Sequence, residues 1–383
     1  MATHLRWGIL STSKFFSTKV LPAFSGCEVA RLEAIASRNP EKAKALGIGR
    51  IFDRYETLLA DPSIDAVYIP LPNHLHVEWA IAAARAGKHV LCEKPLSVTV
   101  AEAERLMAVQ KETGVQIGEA FMVATHPQWL LARQWVRDGK IGDLRAIQGV
   151  FSYTNVDPNN IRNKADFGGG ALMDIGCYPI FTSRFVAERE PTRVLGLIER
   201  DPTFGTDRLT TAVLDFEGCQ ATFTCSTQLF PYQKMHFYGT TGHIEIEIPF
   251  NAPPDKPCRI FLNGEAAELP VLDQYTVEFD EFSRAVLEGR TVAVPVEKAR
   301  AEQVFEDITR RRIDPGLLQT TLGNNYELRV YPLNPGTTRT VLLTLVEAAP
   351  ARLLLPLFYA ASVPRFDLSL RYAGAQVQPQ IES

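Results

Sequence analysis

The chain has 383 residues, of which 46% are hydrophobic and 22% charged, enough for two or three soluble globular domains. Its formal net charge of -4 gives no support for nucleic acid or an anionic membrane as a general partner. The six cysteines (Cys27, Cys92, Cys177, Cys219, Cys225 and Cys258) show neither a Cys-x-x-Cys pair nor a zinc spacing, and no metal site is expected. Several lie inside apolar runs, as buried free thiols do, so a reduced, cytoplasmic setting is the simpler expectation. Lys14 and Lys19 interrupt any leader-like apolar stretch. Residues 349–361 are apolar but broken by Pro350, Arg352 and Pro356, too short to span a bilayer.

Residues 5–10 read as a strand, followed by a Ser/Thr turn and a segment at 15–24. Residues 30–36 read as a second strand ending in Ser37-Arg38, and 40–46 as a helix with Pro40 in its first turn. A third strand at 66–69 runs into Pro70-Leu71-Pro72-Asn73. A helix over 77–86 stops at Gly87, and a fourth strand follows at 89–92. A helix over 100–113 stops at Gly114, and a fifth strand opens at 115–118. Strands alternating with helices imply βαβ units in a parallel sheet. Residues 1–120 are therefore expected to form a dinucleotide-binding, Rossmann-type domain.

Ligands of open α/β sheets lie outside the carboxyl ends of the strands. Glu93 and Lys94 follow the fourth strand. Pro95 removes a backbone donor and biases Lys94 towards an extended conformation, which aims the lysine. An ordinary surface turn could also carry this trio. After the first strand a dinucleotide fold has Gly-x-Gly-x-x-Gly/Ala, which lets the backbone approach a pyrophosphate. Here the turn is Ser11-Thr12-Ser13-Lys14-Phe15-Phe16, and only Gly8, on the strand before, is a glycine. Serine hydroxyls beside a helix N-terminus can hydrogen-bond phosphate. At Ser37-Arg38 an acid would favour NAD, whereas a basic residue accommodates the 2'-phosphate of NADP. A solvated arginine after a strand is the other reading. Gly8, Ser11, Thr12, Ser13, Ser37 and Arg38 are the candidate cofactor contacts of this edge.

Residues 127–138 read as an amphipathic helix and 144–153 as a strand. The stretch Gly168-Gly169-Gly170-Ala171-Leu172-Met173-Asp174-Ile175-Gly176-Cys177-Tyr178-Pro179 follows. If it is helical, Asp174, Cys177 and Tyr178 share one face, an acid and a phenol suited to a site. The alternative is a helix packed by Leu172, Ile175 and Ile180 with Tyr178 in the core. Segments 193–198, 208–215, 220–228, 234–239, 243–248 and 259–262 imply a large, mostly antiparallel sheet. Helical spacing returns at 277–287 and ends at Gly289. The expected fold is a doubly wound parallel sheet, an α+β domain over 121–312, and a short β-rich tail over 313–383.

Together these stretches resemble the glucose–fructose oxidoreductase / inositol dehydrogenase (Gfo/Idh/MocA) family. The resemblance rests on Ala36-Ser37-Arg38, Tyr55-Glu56-x-Leu58-Leu59, Asp65 to His76, Gly87 to Pro95 and Gly168 to Pro179. It extends over about residues 5–298. Within the family the chain is similar to the NADP-dependent D-xylose dehydrogenases and dimeric dihydrodiol dehydrogenases. The resemblance implies hydride transfer between NADP, with NAD as the alternative, and a sugar or diol carbon. It implies Lys94 and Tyr178 as the catalytic pair. Tyr178 would be the acid/base, and Lys94 would lower its pKa and hold the substrate oxygen. Asp174 would orient the substrate, Leu71, Asn73 and His76 would line the nicotinamide ribose, and Glu93 would help fix it. Phe15-Phe16 departs from the small residues usual there. A homodimer through the second-domain sheet is also implied.

From about residue 297 the chain instead resembles the later half of a vault/inter-alpha-trypsin (VIT) domain, and 313–383 would be a partial copy. Residues 296–308 could still supply a closing helix, since Ala301, Val304, Phe305 and Ile308 share a face. Two other readings stand beside the dehydrogenase. One is a catalytically weak sugar- or NADP-binding protein, the other a fusion fragment with a foreign tail.

Overall fold

The structure is a computed structural model that describes residues 3–296 and, as backbone, 317–321 and 325–329. The chain divides into two units, Met1–Arg312 and Ile313–Ser383.

The first unit opens with strands β1 (Leu5–Leu10), β2 (Ala30–Ala36), β3 (Arg50–Phe52), β4 (Ala66–Ile69), β5 (His89–Glu93) and β6 (Ile117–Ala120). They pair in parallel in the order β3-β2-β1-β4-β5-β6. The connections reverse direction between β1 and β4, the point at which such sheets bind ligands. β4 and β6 are buried along their whole length; β4 reads as an unbroken apolar run, and β6 carries one buried acid, Glu119. The helices here are α1 (Leu21–Ala23), α2 (Pro40–Lys44), α3 (Tyr55–Leu59), α4 (His76–Arg85) and α5 (Val100–Thr113). Local chemistry sets their ends. α5 starts in a capping box of Thr99 with Glu102 and stops at Gly114 in the left-handed region. Asn39 caps α2 by accepting from the Lys42 N–H.

Then come α6 (Pro127–Arg137), β7 (Leu144–Thr154) and α7 (Cys177–Ala187). They are followed by β8 (Arg193–Arg200), β9 (Asp207–Phe216), β10 (Cys219–Ser226), β11 (Gln228–Gly239), β12 (His243–Ile246), β13 (Arg259–Leu262) and β14 (Glu265–Glu268). These eight strands form one sheet, β14-β13-β12-β11-β7-β10-β9-β8, antiparallel except between β7 and β10. One face carries the core. Trp129 of α6 lies 6.1 Å from both Phe237 and Phe250, and Tyr178 of α7 packs on Phe151 and Phe250. The other face is open, with Leu195 and Leu197 of β8 62% and 79% exposed.

α8 (Gln274–Leu287) returns to the parallel sheet. Its Ser283 hydroxyl accepts from the Trp7 indole N–H at 3.0 Å, and Phe279 meets the Trp7 ring edge-on at 4.9 Å. Asp280 accepts the N–H groups of Glu28, Val29 and Ala30 at 2.8, 3.0 and 3.1 Å, which anchors the start of β2. After α8 the chain runs along the free edge of β6. There the Glu119 N–H donates to the Val294 carbonyl at 2.9 Å and the Val296 N–H to the Ile117 carbonyl at 3.2 Å. The expected closing helix lies outside the described residues. In the second unit β15 (Leu317–Thr321) pairs antiparallel with β16 (Asn325–Arg329), and the rest of the expected β-rich tail lies outside the described residues. All six cysteines are free and buried. Among the described residues no helix is long and apolar enough to cross a membrane.

Candidate active site

The crevice at the switch point begins at Ser11-Thr12-Ser13. The Ser13 hydroxyl accepts from the Phe16 N–H at 3.1 Å and so caps the helical stretch leading into α1. Ser11 has φ 118°, a region natural only to glycine, and it occupies the place of the fingerprint's first glycine. The Thr12 hydroxyl lies 3.2 Å from that of Ser37, which ties the turn to the end of β2. Ser37 is buried. Arg38 is exposed and has no side-chain hydrogen bond or ion pair among the described residues. The two phenylalanines leave the turn. Phe16 is fully buried beside Tyr68, and Phe15, half-buried, meets Tyr275 of α8 edge-on at 5.7 Å.

Two expected cofactor contacts sit elsewhere. Gly8 is buried inside β1, where a Cβ would come within 2.7 Å of Leu58 Cδ2. It serves the packing of α3 and not the turn. His76 is fully buried, with Nδ1 2.8 Å from the Pro95 carbonyl and Nε2 2.7 Å from the Leu71 carbonyl. It ties the loop after β4 to the loop after β5 and offers no atom to the crevice. Burial pushes its pKa down, against the pull of the two carbonyls. Leu71 and Asn73 remain at the crevice, half-buried, and Asn73 Nδ2 donates to the Gly168 carbonyl at 2.9 Å. Glu93 accepts from the Tyr68 hydroxyl at 2.5 Å, and burial raises its pKa. The Lys94–Pro95 peptide is cis. Just beyond it, the Leu96 N–H donates at 2.8 Å to Glu119, a carboxyl that burial pushes up to about 7.

Lys94 reaches across from β5 to the start of α7. Its Nζ donates to the Asp174 carbonyl at 2.5 Å and lies 3.2 Å from Asp174 Oδ1. Asp174 Oδ2 accepts from the Tyr153 hydroxyl at 2.6 Å and sits 2.8 Å from Arg162 Nε. Burial alone would raise the Asp174 pKa, but the Lys94 ammonium and the Arg162 guanidinium hold it well below the ordinary carboxylate range. Burial likewise opposes charge on Lys94, but Asp174, with Cys177 and Glu93 adding to it, outweighs this and raises its pKa. Two features place Asp174. Gly170 has φ 121° and a Cβ there would lie 1.9 Å from Asp207 Oδ1, and Asp207 Oδ2 accepts from the Leu172 N–H at 2.7 Å. A π-helical turn, Leu172–Gly176, then leads into α7.

Lys94 Nζ is 5.1 Å from the Tyr178 ring centroid. The expected pair is therefore in contact, but through the ring face and not the hydroxyl. The Tyr178 hydroxyl touches Met122 Sδ at 3.8 Å, a weak acceptor. Burial, then the neighbouring acids, put its pKa well above the ordinary phenol value, opposite to the lowering expected from Lys94. Both Asp174 oxygens have partners in the chain, Lys94 on one and Tyr153 with Arg162 on the other, so Asp174 sets Lys94. Cys177 is buried, its thiol turned to the Asp174 carbonyl. Tyr153 and Arg162 escaped the sequence reading. One is near the end of a strand and the other in a polar loop, and neither position carries a pattern.

Family models match residues 5–121 as an oxidoreductase family domain with an NAD-binding Rossmann fold and residues 129–245 as a GFO/IDH/MocA C-terminal domain. An oxidoreductase of Rhizobium meliloti is 47% identical over 82% of this chain and 99% of its own length. The chain belongs to the Gfo/Idh/MocA oxidoreductase family. Among its Gfo/Idh/MocA relatives, D-xylose 1-dehydrogenase (NADP(+)) 2 of Haloferax volcanii is 34% identical over 77% of this chain and 93% of that protein. Among solved structures, a 3-ketoreductase from Actinomadura kijaniata in complex with NADP and TDP-benzene superposes with a TM-score of 0.75. It is 30% identical and covers 80% of this chain and 97% of its own.

This Gfo/Idh/MocA chain is an oxidoreductase with a nicotinamide-dinucleotide domain, and its residues fit that cofactor. The capped helix and the Ser/Thr turn suit the pyrophosphate. The unpaired Arg38 follows β2, and Leu71, Asn73, Glu93 and Lys94 lie at or just after the ends of β4 and β5, on the same carboxyl edge of the sheet.

Proposed function

We propose that the protein is an NADP-preferring sugar dehydrogenase that oxidises C1 of a D-xylose-type aldose. Bound NADP supplies the hydride acceptor at the switch point of the parallel sheet. Tyr178, once deprotonated to the phenolate, takes the proton of the reacting hydroxyl as the hydride leaves the same carbon, and as phenol returns it in the reverse direction. Lys94 has one N–H beyond those given to Asp174, and with it holds the reacting oxygen. Asp174 keeps that lysine charged. The observation that carries the reading is the Lys94 ammonium, pinned by Asp174 at 3.2 Å and 5.1 Å above the Tyr178 ring. The tyrosine proton is committed to no strong acceptor in the chain, which leaves it available to substrate. The unpaired Arg38 and the NADP-dependent xylose relative support NADP.

The test is a panel of pentoses, hexoses and trans-diols with NADP and with NAD, followed at the reduced-nicotinamide absorbance. Turnover of an aldose, faster with NADP, supports the proposal, and no turnover of any member refutes it. A homodimer through the open face of the eight-stranded sheet is part of the proposal. Its support is the exposed Leu195 and Leu197 on edge strand β8, a surface that proteins usually cover. A monomer at micromolar concentration in light scattering would count against it.

A further inference from the structure

Arg162 sits in a short 3-10 turn, Ile161–Asn163, whose backbone is held firmly. Its carbonyl accepts from the Gly170 N–H at 2.9 Å, and Asn163 next to it donates to the Asp157 carbonyl at 2.9 Å. The guanidinium uses Nε for Asp174 at 2.8 Å. Its two terminal nitrogens have no partner among the described residues, although the side chain is only 38% exposed. The Tyr178 phenol is among the groups that act on its charge, so Arg162 belongs to the same cluster. The chain thus leaves a planar fork of N–H donors beside the reacting position, fixed at its root and free at its tip.

Lys94 and Arg162 both pair with Asp174, so what Arg162 still offers is N–H groups and not an uncompensated charge. Such donors suit a neutral molecule with several oxygens. We infer that Arg162 is the specificity-determining residue of the site, its free guanidinium edge taking the hydroxyl oxygen on the carbon next to the reacting one. The substrate class is then a polyol or aldose with adjacent oxygens. This rests on the aldose reading above, with C1 as the reacting carbon and C2 as its neighbour.

The experiment compares kcat and KM for D-xylose and 2-deoxy-D-xylose with NADP in the wild type, Arg162→Ala and Arg162→Lys. NADPH binding by fluorescence shows that each variant is folded. The lysine variant keeps a cation beside Asp174 but lacks the fork, so it decides the matter should the alanine variant fail to bind NADPH. The wild type should prefer the 2-hydroxy sugar by about tenfold to a hundredfold, the usual worth of a hydrogen bond to a charged group. In both variants that ratio should fall towards one, mainly through KM. A wild type that does not discriminate, or variants that keep the wild-type ratio, would show that Arg162 merely props Asp174. A wild type that oxidises xylose without discrimination leaves the aldose reading standing and removes this inference alone. Failure to oxidise either sugar overturns both.

Discussion

Replacing Ser11 with glycine should stabilise the protein. Ser11 is held at φ 118°, and a non-glycine residue there costs roughly 1–3 kcal/mol. Glycine adds back about 0.5–1 kcal/mol of chain entropy on unfolding. The net gain is therefore at most about 2.5 kcal/mol, which for a domain of this class raises the melting temperature by up to roughly 10 °C. The backbone bond from the Ser11 N–H to the Ala36 carbonyl at 2.9 Å survives the change, so the turn is kept. Melting curves of the wild type, Ser11→Gly and Ser11→Ala, with and without NADPH, form the assay. The alanine variant loses the hydroxyl but keeps the strain, and separates the two effects. If Ser11→Gly melts no higher than Ser11→Ala, the strain argument at this turn is wrong.

Arg38→Ala should weaken NADP about tenfold to a hundredfold and leave NAD nearly unchanged in a binding titration, and equal weakening of both would remove the 2'-phosphate assignment. Truncation after Ile313 should retain activity and improve solubility. Truncation before Val296 deletes a fully buried valine and its bond to Ile117, about 1.5–3 kcal/mol of burial, and should lower the melting temperature. Unfolding by the first truncation would show the tail to be integral. Because burial raises the Tyr178 pKa, the group is a phenol at neutral pH. Reduction, which needs the proton, should be flat through neutrality. Oxidation, which needs it gone, should climb as pH rises from about 7 to about 9, and a kcat/KM for oxidation that falls over that range contradicts the assignment.

The parallel sheet was readable because its strands are buried on both faces and separated by helices with clear stops. The runs at 5–10, 30–36 and 66–69 and the helix at 100–113 coincide with β1, β2, β4 and α5. What escaped was held by pairing and not by local pattern. β3 has three residues, and β14 is Glu-Ala-Ala-Glu, a poor strand former kept extended by β13. At the site, Lys94, Asp174 and Tyr178 converge although 80 or more residues of sequence separate the lysine from the other two. Single-sequence reading named the residues but not the geometry between them. It placed Lys94 at the phenol, whereas Asp174 draws the ammonium over the ring face. It gave Gly8 and His76 to the cofactor, whereas one makes room for Leu58 and the other laces two loops together. Arg162 was silent because a lone arginine in a polar loop looks like any solvated side chain until Asp174 is seen beside it.

The central claim is that Tyr178 moves the substrate proton. Its most direct test is Tyr178→Phe, which removes one oxygen and keeps the packing against Phe121, Phe151 and Phe250. Turnover of the best aldose and the NADPH dissociation constant are measured on the same preparation. The account predicts that kcat falls about 10²–10⁴-fold, the usual worth of general acid–base catalysis, with NADPH binding and melting temperature little changed. Near-wild-type turnover in Tyr178→Phe would contradict it and make the tyrosine a structural residue.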